Sequence, residues 1–301
     1  MTDIAPTATP LAAQVAMPVP AKGFGSHLVY VLRDNPVTLL AFCMLFLLLF
    51  AGIFGPIIAP YSPTASNAAI ALQPPSWDHW FGTDNLGRDV FSRVLVATRL
   101  DLVISVAAVS LSFVIGSALG AIAGYWGGWI DTVLNRIFDT IMAFPLFVLA
   151  MGIVAALGNT VENIVYATAV INIPFYARLV RAEVNIRRDA GFTQAAKLAG
   201  NSDLRVLAFH IYPNALPPMM VQVSLNLGWA ILNAAGLSFI GLGVRPPTAE
   251  WGIMVAEGAN FIVSGEWWLA IFPGLSLMFA VFTFNLLGDG LRDLVDPRQR
   301  T

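Results

Sequence analysis

The chain has 301 residues, of which 57% are hydrophobic and 11% are charged, and its formal net charge at pH 7 is -2. An ordinary soluble domain carries roughly 25% charged residues, so this composition predicts a protein embedded in lipid. The small net charge excludes a general electrostatic attraction to nucleic acid. The single cysteine, Cys43, excludes an internal disulfide.

The N-terminal segment, residues 1–25, is rich in Ala, Pro and Thr and has no sustained periodicity. We expect a disordered cytoplasmic tail here, followed by a transmembrane domain over residues 26–301. A cleaved signal peptide is not predicted, because the apolar run that follows is long enough to cross a bilayer.

Six apolar segments are long enough to span a membrane. A helix needs about 20 residues to cross a hydrocarbon core of about 30 Å. Continuous apolar runs favour helices, since membrane strands would alternate apolar and polar residues. The predicted fold is therefore an all-α integral membrane protein with spans at residues 37–59, 100–125, 133–157, 164–180, 215–236 and 269–287.

The basic residues indicate how these spans are oriented. Of the 16 Lys and Arg residues, four fall in the connections on one side and the others fall on the side of the N-terminus. Cytoplasmic loops carry the excess of positive charge, so both termini are predicted to lie in the cytoplasm. The polar connection 181–213, between the fourth and fifth spans, lies on the same side.

Two features inside the predicted spans indicate contacts with other helices or side chains. Gly116, Gly120 and Gly124 repeat at four-residue spacing, which allows another helix to approach closely, either within this chain or from a second subunit. Asp139 lies about one turn into the third span, where we expect it to reach the interface or to pair with Arg136.

The sequence lacks the motifs typical of nucleotide binding, metal binding and serine catalysis. The two lysines, Lys22 and Lys197, each follow an alanine, which excludes a phosphate-binding loop ending in Gly-Lys-Ser/Thr. The three histidines are isolated, so no metal site is predicted, and no Gly-x-Ser-x-Gly elbow occurs. An enzyme is not predicted. The near absence of midspan charge also disfavours an ion-coupled carrier, which stays open as an alternative.

The stretch "FTQAAKLAGNSDLRVLAFHIYP" (192–213) predicts a short amphipathic helix. Asp189 could cap its start, and Gly200 could end it. The residues alone allow either an ordinary surface turn or a helix that docks on another protein. On a helical period, one face would carry Phe192, Ala195, Ala196 and Ala199.

This stretch resembles the cytoplasmic "EAA" loop of ABC importer membrane subunits, which runs Glu-Ala-Ala, three residues, Gly, and an Ile-x-Leu-Pro ending. Here Gln194, Ala195 and Ala196 are followed by Gly200 and finally by Tyr212-Pro213. Gln194 replaces the acid and Tyr212 the leucine, which puts a salt bridge from position 194 in doubt. The resemblance implies a coupling helix that contacts an ATPase through Phe192, Gln194, Ala195, Ala196, Lys197, Ala199 and Gly200.

Further stretches are similar to the second, C-type permease of dipeptide and oligopeptide importers, a group that also serves nickel and other small solutes. They are "HWFGTDNLGRDVFSRVL" (79–95), "GYWGGWIDTVLNRIFD" (124–139), "YARLVRAEV" (176–184), "GLSFIGLGVRPPTAEWG" (236–252) and "FNLLGDGLRDLVDPR" (284–298).

The resemblance implies a type I ABC importer permease in the bacterial inner membrane. Its expected partners are membrane lipid, a homologous second permease, two ATP-binding subunits and a periplasmic or lipid-anchored solute-binding protein, with no nucleic acid. ATP and Mg would be held by the partner subunits, and no cofactor by this chain. The expected cargo is a di- or oligopeptide, with nickel or another small solute as an alternative.

Two further sites are predicted. Polar residues of the fifth span either line the translocation path or bond to neighbouring helices: Gln222, Ser224, Asn226 and Asn233. The outer loops offer docking for the binding protein at Asp84, Arg88, Pro246, Pro247 and Trp251. The segment of Asp84, Arg88, Asp89 and Arg93 is expected to form an interfacial helix with an Asp89–Arg93 pair.

Overall fold

The computed structural model describes the backbone of residues 35–295 and the side chains of residues 35–292. The tail predicted over residues 1–25 lies outside this part. Between residues 35 and 295 the regular structure is helical except for one isolated bridge between Thr83 and Asp89. The predicted all-α fold is confirmed.

Ten α-helices follow one another along the described part of the chain. They are α1 (Pro36–Ile58), α2 (Val90–Trp126), α3 (Gly128–Ala143), α4 (Leu146–Leu157), α5 (Val161–Arg188), α6 (Gly191–Leu198), α7 (Asp203–Arg205), α8 (Tyr212–Phe239), α9 (Trp251–Ala259) and α10 (Trp268–Val295). A 3-10 turn covers Ala68–Ile70, and a π-helical stretch, Val206–Ile211, joins α7 to α8.

The described residues contain five helices that are long and apolar enough to cross a membrane: α1, α2, α5, the continuous run that ends with α8, and α10. The third predicted span is instead broken into α3 and α4, which meet at an angle of 90°. The break falls at Pro145, because a residue before proline is driven out of the helical region and Phe144 is extended. If the bent pair is one span, the number is six, as predicted.

The second span is longer than its apolar run. Asp89 caps α2 by accepting a hydrogen bond from the backbone N–H of Ser92 at 2.7 Å. The helix therefore begins at Val90, ten residues before the predicted start of the span. A polar cap, and not the onset of apolar residues, sets this boundary.

The glycine stripe of α2 packs against α5 of the same chain. A methyl group on Gly120 would lie 2.2 Å from the carbonyl oxygen of Ala177, and one on Gly116 would lie 2.6 Å from that of Ile173. Only glycine allows the two backbones to approach this closely. Of the two uses predicted for the stripe, packing within the chain is the one that the structure contains.

The sequence analysis allowed an ion pair between Asp139 and Arg136, and the structure does not contain this pair. Its carboxylate accepts a hydrogen bond from Nη2 of Arg178 at 2.6 Å. The pair connects α3 to α5, because the fold brings together residues that are 39 positions apart. Both side chains are about half exposed, so the pair positions the helices more than it stabilises them.

Candidate functional site

The short helix α6 lies in the polar connection between the fourth and fifth predicted spans. It runs over Gly191–Leu198, with Ala190 at the N-cap position and no side-chain cap. The predicted cap, Asp189, instead ends the preceding helix α5. Gly200 ends α6 as predicted, with a φ of +83° and a hydrogen bond from its N–H to the carbonyl of Lys197 at 2.9 Å.

Helix α6 has an inner and an outer face. Thr193 is fully buried and donates from its hydroxyl to the carbonyl of Arg187 at 2.8 Å, while Ala196 is 8% exposed and packs in the apolar cluster below. Leu198 is 90% exposed and Phe192 is 45% exposed. Ala196, one of the predicted docking residues, therefore faces the bundle in this chain, because residues three apart share a face and Ala196 follows Thr193 inward.

Polar contacts seat α6 on the end of α2. The hydroxyl of Tyr125 donates to the carboxylate of Asp203 at 2.5 Å. Nζ of Lys197 lies 3.9 Å from the same carboxylate and 5.1 Å from the centre of the Tyr125 ring. Lys197, Tyr125 and Asp203 therefore hold α6 against the bundle and are hereafter called the seat of α6. The exposed apolar face of α6 is formed by Phe192, Ala195 and Leu198.

A second candidate site is a cavity of about 550 Å³, hereafter the groove, between α4, α5, α8 and α10. Three of the four predicted path residues line it, namely Gln222, Asn226 and Asn233. Asn226 and Asn233 share a face of α8, as their spacing of seven predicts. The prediction missed two further carboxamides that converge from other helices, Asn172 and Asn285.

Ser224, the fourth predicted path residue, does not face the groove. Its hydroxyl donates to the backbone carbonyl of Phe284 at 2.7 Å, and the side chain is buried. Ser224 therefore holds α8 to α10, which is the alternative role that the sequence left open for these residues.

On the opposite side of the bundle from α6, a cluster of charges is buried. Nε of Arg88 lies 2.6 Å from the carboxylate of Asp84, and Arg88 and Arg93 approach Glu257 at 3.5 and 3.6 Å. Arg88 is only 2% exposed. Asp84 and Arg88, two of the predicted docking residues, thus join the loop before α2 to α9 within this chain.

The segment before α2 is a turn and not the predicted interfacial helix. The bridge between Thr83 and Asp89 closes it. The carboxylate of Asp89 contacts Nδ1 of His79 at 2.9 Å, and not the side chain of Arg93. The predicted Asp89–Arg93 pair is replaced because Asp89 is committed to capping α2.

Trp251, another of the predicted docking residues, is also buried in this chain. Its indole N–H donates to the carbonyl of Val94 at 3.1 Å, and its backbone N–H donates to Asp101 at 3.2 Å. The preceding Glu250 caps α9 through the backbone N–H of Gly252 at 2.8 Å. Burial raises the pKa of the Glu250 carboxyl above its usual range.

Pro246 and Pro247 are the residues of the predicted docking set that remain exposed. Among the described residues, no group of three or more His, Cys, Asp or Glu side chains could hold a metal ion.

Apolar spanning helices, an amide-lined groove and a short helix with an exposed apolar face are features of a multi-pass membrane transport subunit. Residues 116–301 match the family described as the binding-protein-dependent transport system inner membrane component. Residues 26–75 match the N-terminal TM domain of oligopeptide transport permease C. The chain belongs to this family of ABC transporter permeases, as its motifs predicted.

The similarity to known proteins extends over most of the chain. A probable D,D-dipeptide transport system permease protein of Escherichia coli (strain K12) is 43% identical over 274 residues, which cover 91% of this chain and 92% of that protein. A dipeptide transport system permease protein of Alkalihalophilus pseudofirmus is 42% identical over 90% of this chain and 88% of its own length. A glutathione transport system permease protein of Pectobacterium atrosepticum is 42% identical over 75% of each chain.

Proposed function

We propose that this chain is the C-type permease of an ATP-driven importer that moves di- or oligopeptides across the bacterial inner membrane. The observation that carries the proposal is the 43% identity, over 91% of the chain, to a permease named for D,D-dipeptides. The relatives named for dipeptides and for glutathione support the same class of solute, since each carries peptide bonds.

The energy for transport comes from partner subunits in this proposal. Two ATPases bind ATP and Mg on the cytoplasmic side, where both termini of this chain also lie. A homologous permease forms the other half of the path, and a solute-binding protein delivers the peptide from outside. Pro246 and Pro247, which are exposed on the side opposite α6, are the proposed contact for that protein.

Helix α6 is the proposed coupling helix. Leu198, Ala195 and Phe192 contact a depression on the surface of an ATPase. Covering this exposed apolar face removes it from water, which lowers the free energy of the complex. Movement of the ATPase is transmitted by the seat, since Tyr125 belongs to the long helix α2 and contacts Asp203 directly. The rigid connection lets a nucleotide-driven closure move the spans.

The groove is the proposed half of the translocation path on this chain. Its carboxamides lie between spanning helices, where polar side chains need a partner or water. Gln222 and Asn226 bond to each other at 3.0 Å and form part of the wall on α8. The second permease would complete the path by facing this wall.

Transport by the purified complex in proteoliposomes tests the proposal. We expect accumulation of a dipeptide or tripeptide that requires ATP, the ATPases and the binding protein, and that persists when ionophores collapse the ion gradients. Uptake by this chain without ATPases, lost when the gradient collapses, would instead identify an ion-coupled carrier. The same assay on vesicles lacking the complex controls for leakage.

A further inference from the structure

A cleft on the outside of the bundle, hereafter the apolar cleft, lies between three spanning helices. It has a volume of about 560 Å³, and its walls include Ala51 of α1, Leu95 of α2 and Leu275 of α10. On α10 its lining falls within residues 272–279, which correspond to about 10 Å of helix. Because α10 begins at Trp268, this stretch lies in the half of the span that is farther from α6.

The apolar cleft offers no free hydrogen-bond donor to a ligand. Its two hydroxyls are already bonded inside their own helices, since Thr98 donates to the carbonyl of Val94 and Ser276 donates to that of Phe272, both at 3.0 Å. The indole N–H of Trp251 also donates to the carbonyl of Val94. None of the described residues that line the cleft is charged. The cleft therefore fits a hydrocarbon chain, since a polar occupant would leave its own groups without partners.

A second cleft, hereafter the aromatic cleft, continues the first toward the end of the spans. It has a volume of about 450 Å³ and is lined by Tyr61, Trp77 and Trp80 of the loop between α1 and α2, while Leu95 belongs to the walls of both clefts. Trp77 is 95% exposed and Trp80 is 59% exposed. Tryptophan is enriched where a membrane meets water, because its ring is apolar and carries one N–H donor. The aromatic cleft therefore lies at the level of lipid headgroups.

The aromatic cleft carries an unpaired negative charge. Asp78 lines it and is exposed, and its carboxylate has no ion-pair partner among the described side chains. The other acid of the lining, Asp89, is already bonded to His79 and to the backbone N–H of Ser92. No Lys or Arg belongs to the described lining. An ammonium group fits this site, since it can pair with the free carboxylate and lie against an indole ring.

We propose that the two clefts together bind one phospholipid whose headgroup carries a primary ammonium, as phosphatidylethanolamine does. An acyl chain fills the apolar cleft, and the ammonium group pairs with Asp78. Helix α1 is the least buried of the five spanning helices, so the lipid also covers part of its open side. The site is separate from the groove and from α6, and it depends neither on the solute nor on the ATPases.

Photo-crosslinking of the purified full-length chain tests the proposal. The probe is a phosphatidylethanolamine with a diazirine on one acyl chain, and mass spectrometry of peptides locates the adduct. We expect the adduct on residues 272–279 of α10. Unlabelled phosphatidylethanolamine should displace the probe at about fivefold lower concentration than phosphatidylglycerol with the same acyl chains. This ratio corresponds to about 1 kcal/mol, the upper end of what exposed ion pairs contribute.

Two variants separate the headgroup from the acyl chain. Asp78→Asn removes the charge at an exposed position and keeps the size of the side chain, so the two competitors should displace the probe equally. Ala51→Trp fills the apolar cleft and should lower the yield of the adduct at least tenfold. Ile53→Trp is the matched control, because Ile53 is 62% exposed, lies on the opposite face of α1 and does not line the cleft.

Three results would overturn the proposal. Equal displacement by the two lipids in the wild-type chain would contradict recognition of the ammonium group. An adduct that is spread over all spans, or that Ala51→Trp leaves unchanged, would indicate only the lipid that surrounds any membrane protein. An adduct that forms on the isolated chain and is lost in the assembled importer would show that a partner helix occupies the apolar cleft. Peptide uptake is not the readout, so each of these results leaves the proposed transport function standing.

Discussion

Leu198→Asp is expected to abolish ATP-driven uptake while leaving the membrane domain folded. Leu198 is 90% exposed at the end of α6 and contributes no packing to its own bundle that the change could remove. In the assembled importer the new carboxylate would be buried in an apolar contact without a partner, which costs far more than an exposed charge. A loss of about 2 kcal/mol or more of docking free energy would weaken ATPase binding roughly 30-fold.

The measurements are co-purification of the ATPases with the tagged chain and peptide uptake in proteoliposomes. Val263→Asp is the matched control, because Val263 is 99% exposed and the chemical change is similar, but it lies outside the connection that carries α6. Retention of the ATPases and of uptake by Leu198→Asp would contradict docking through this face. A charge at Ala196 is a poorer test, because this residue is buried in the chain's own bundle and the change would also unseat the helix.

Arg88→Met is expected to destabilise the membrane domain by about 3 to 5 kcal/mol. Arg88 is 2% exposed and contacts Asp84 at 2.6 Å and Glu257 at 3.5 Å. Removing the guanidinium leaves the carboxylate of Asp84 buried beside Arg93 alone, at 3.6 Å. The loop before α2 would then lose its own ion pair with Glu257 of α9.

Thermal stability of the detergent-purified chain, together with its level in membranes, measures this effect. Arg99→Met serves as the control, since Arg99 is exposed on α2, the helix that follows Arg88, and the substitution removes an equal charge. We expect the midpoint of thermal unfolding to fall for Arg88→Met and to change little for Arg99→Met. Equal midpoints for the two variants would show that the buried cluster does not hold the loop before α2.

The spans were predictable because a single physical constraint, the length of apolar chain needed to cross lipid, acts locally. The ends of the spans were less predictable. The apolar run of the second span begins near Leu100, yet α2 starts at Val90 because Asp89 caps it. The 90° break within the third span is signalled in the sequence only by Pro145, and proline alone does not fix the angle.

Helix α6, the proposed coupling helix, was located by its motif, and Gly200 ends it as predicted. Its faces were not predictable from residue size, because alanine is equally suited to packing inside and to contact outside. The orientation follows from Thr193, whose hydroxyl bonds to Arg187 and turns Ala196 inward with it. Such a bond between a side chain and the previous helix has no local sequence signal.

The pairing of the charged residues near the start of α2 was predicted wrongly for a related reason. Local spacing favoured a pair between Asp89 and Arg93, but the partner of Arg88 on α9, Glu257, is 169 residues away in sequence. Carboxamides on three different helices likewise converge on the groove, and only those of α8 have a periodic pattern. Contacts between distant segments are set by the packing of the helices and are not encoded in spacing along the chain.

We propose that an ATPase contacts the exposed face of α6 formed by Phe192, Ala195 and Leu198. Site-directed cross-linking measures this contact directly, with a single cysteine placed on the face after Cys43→Ser removes the native thiol. Leu198→Cys should form an adduct with the ATPase in the assembled complex, whereas Ala196→Cys, on the inner face, should form none. An adduct-free Leu198→Cys in a complex that still transports would contradict the account.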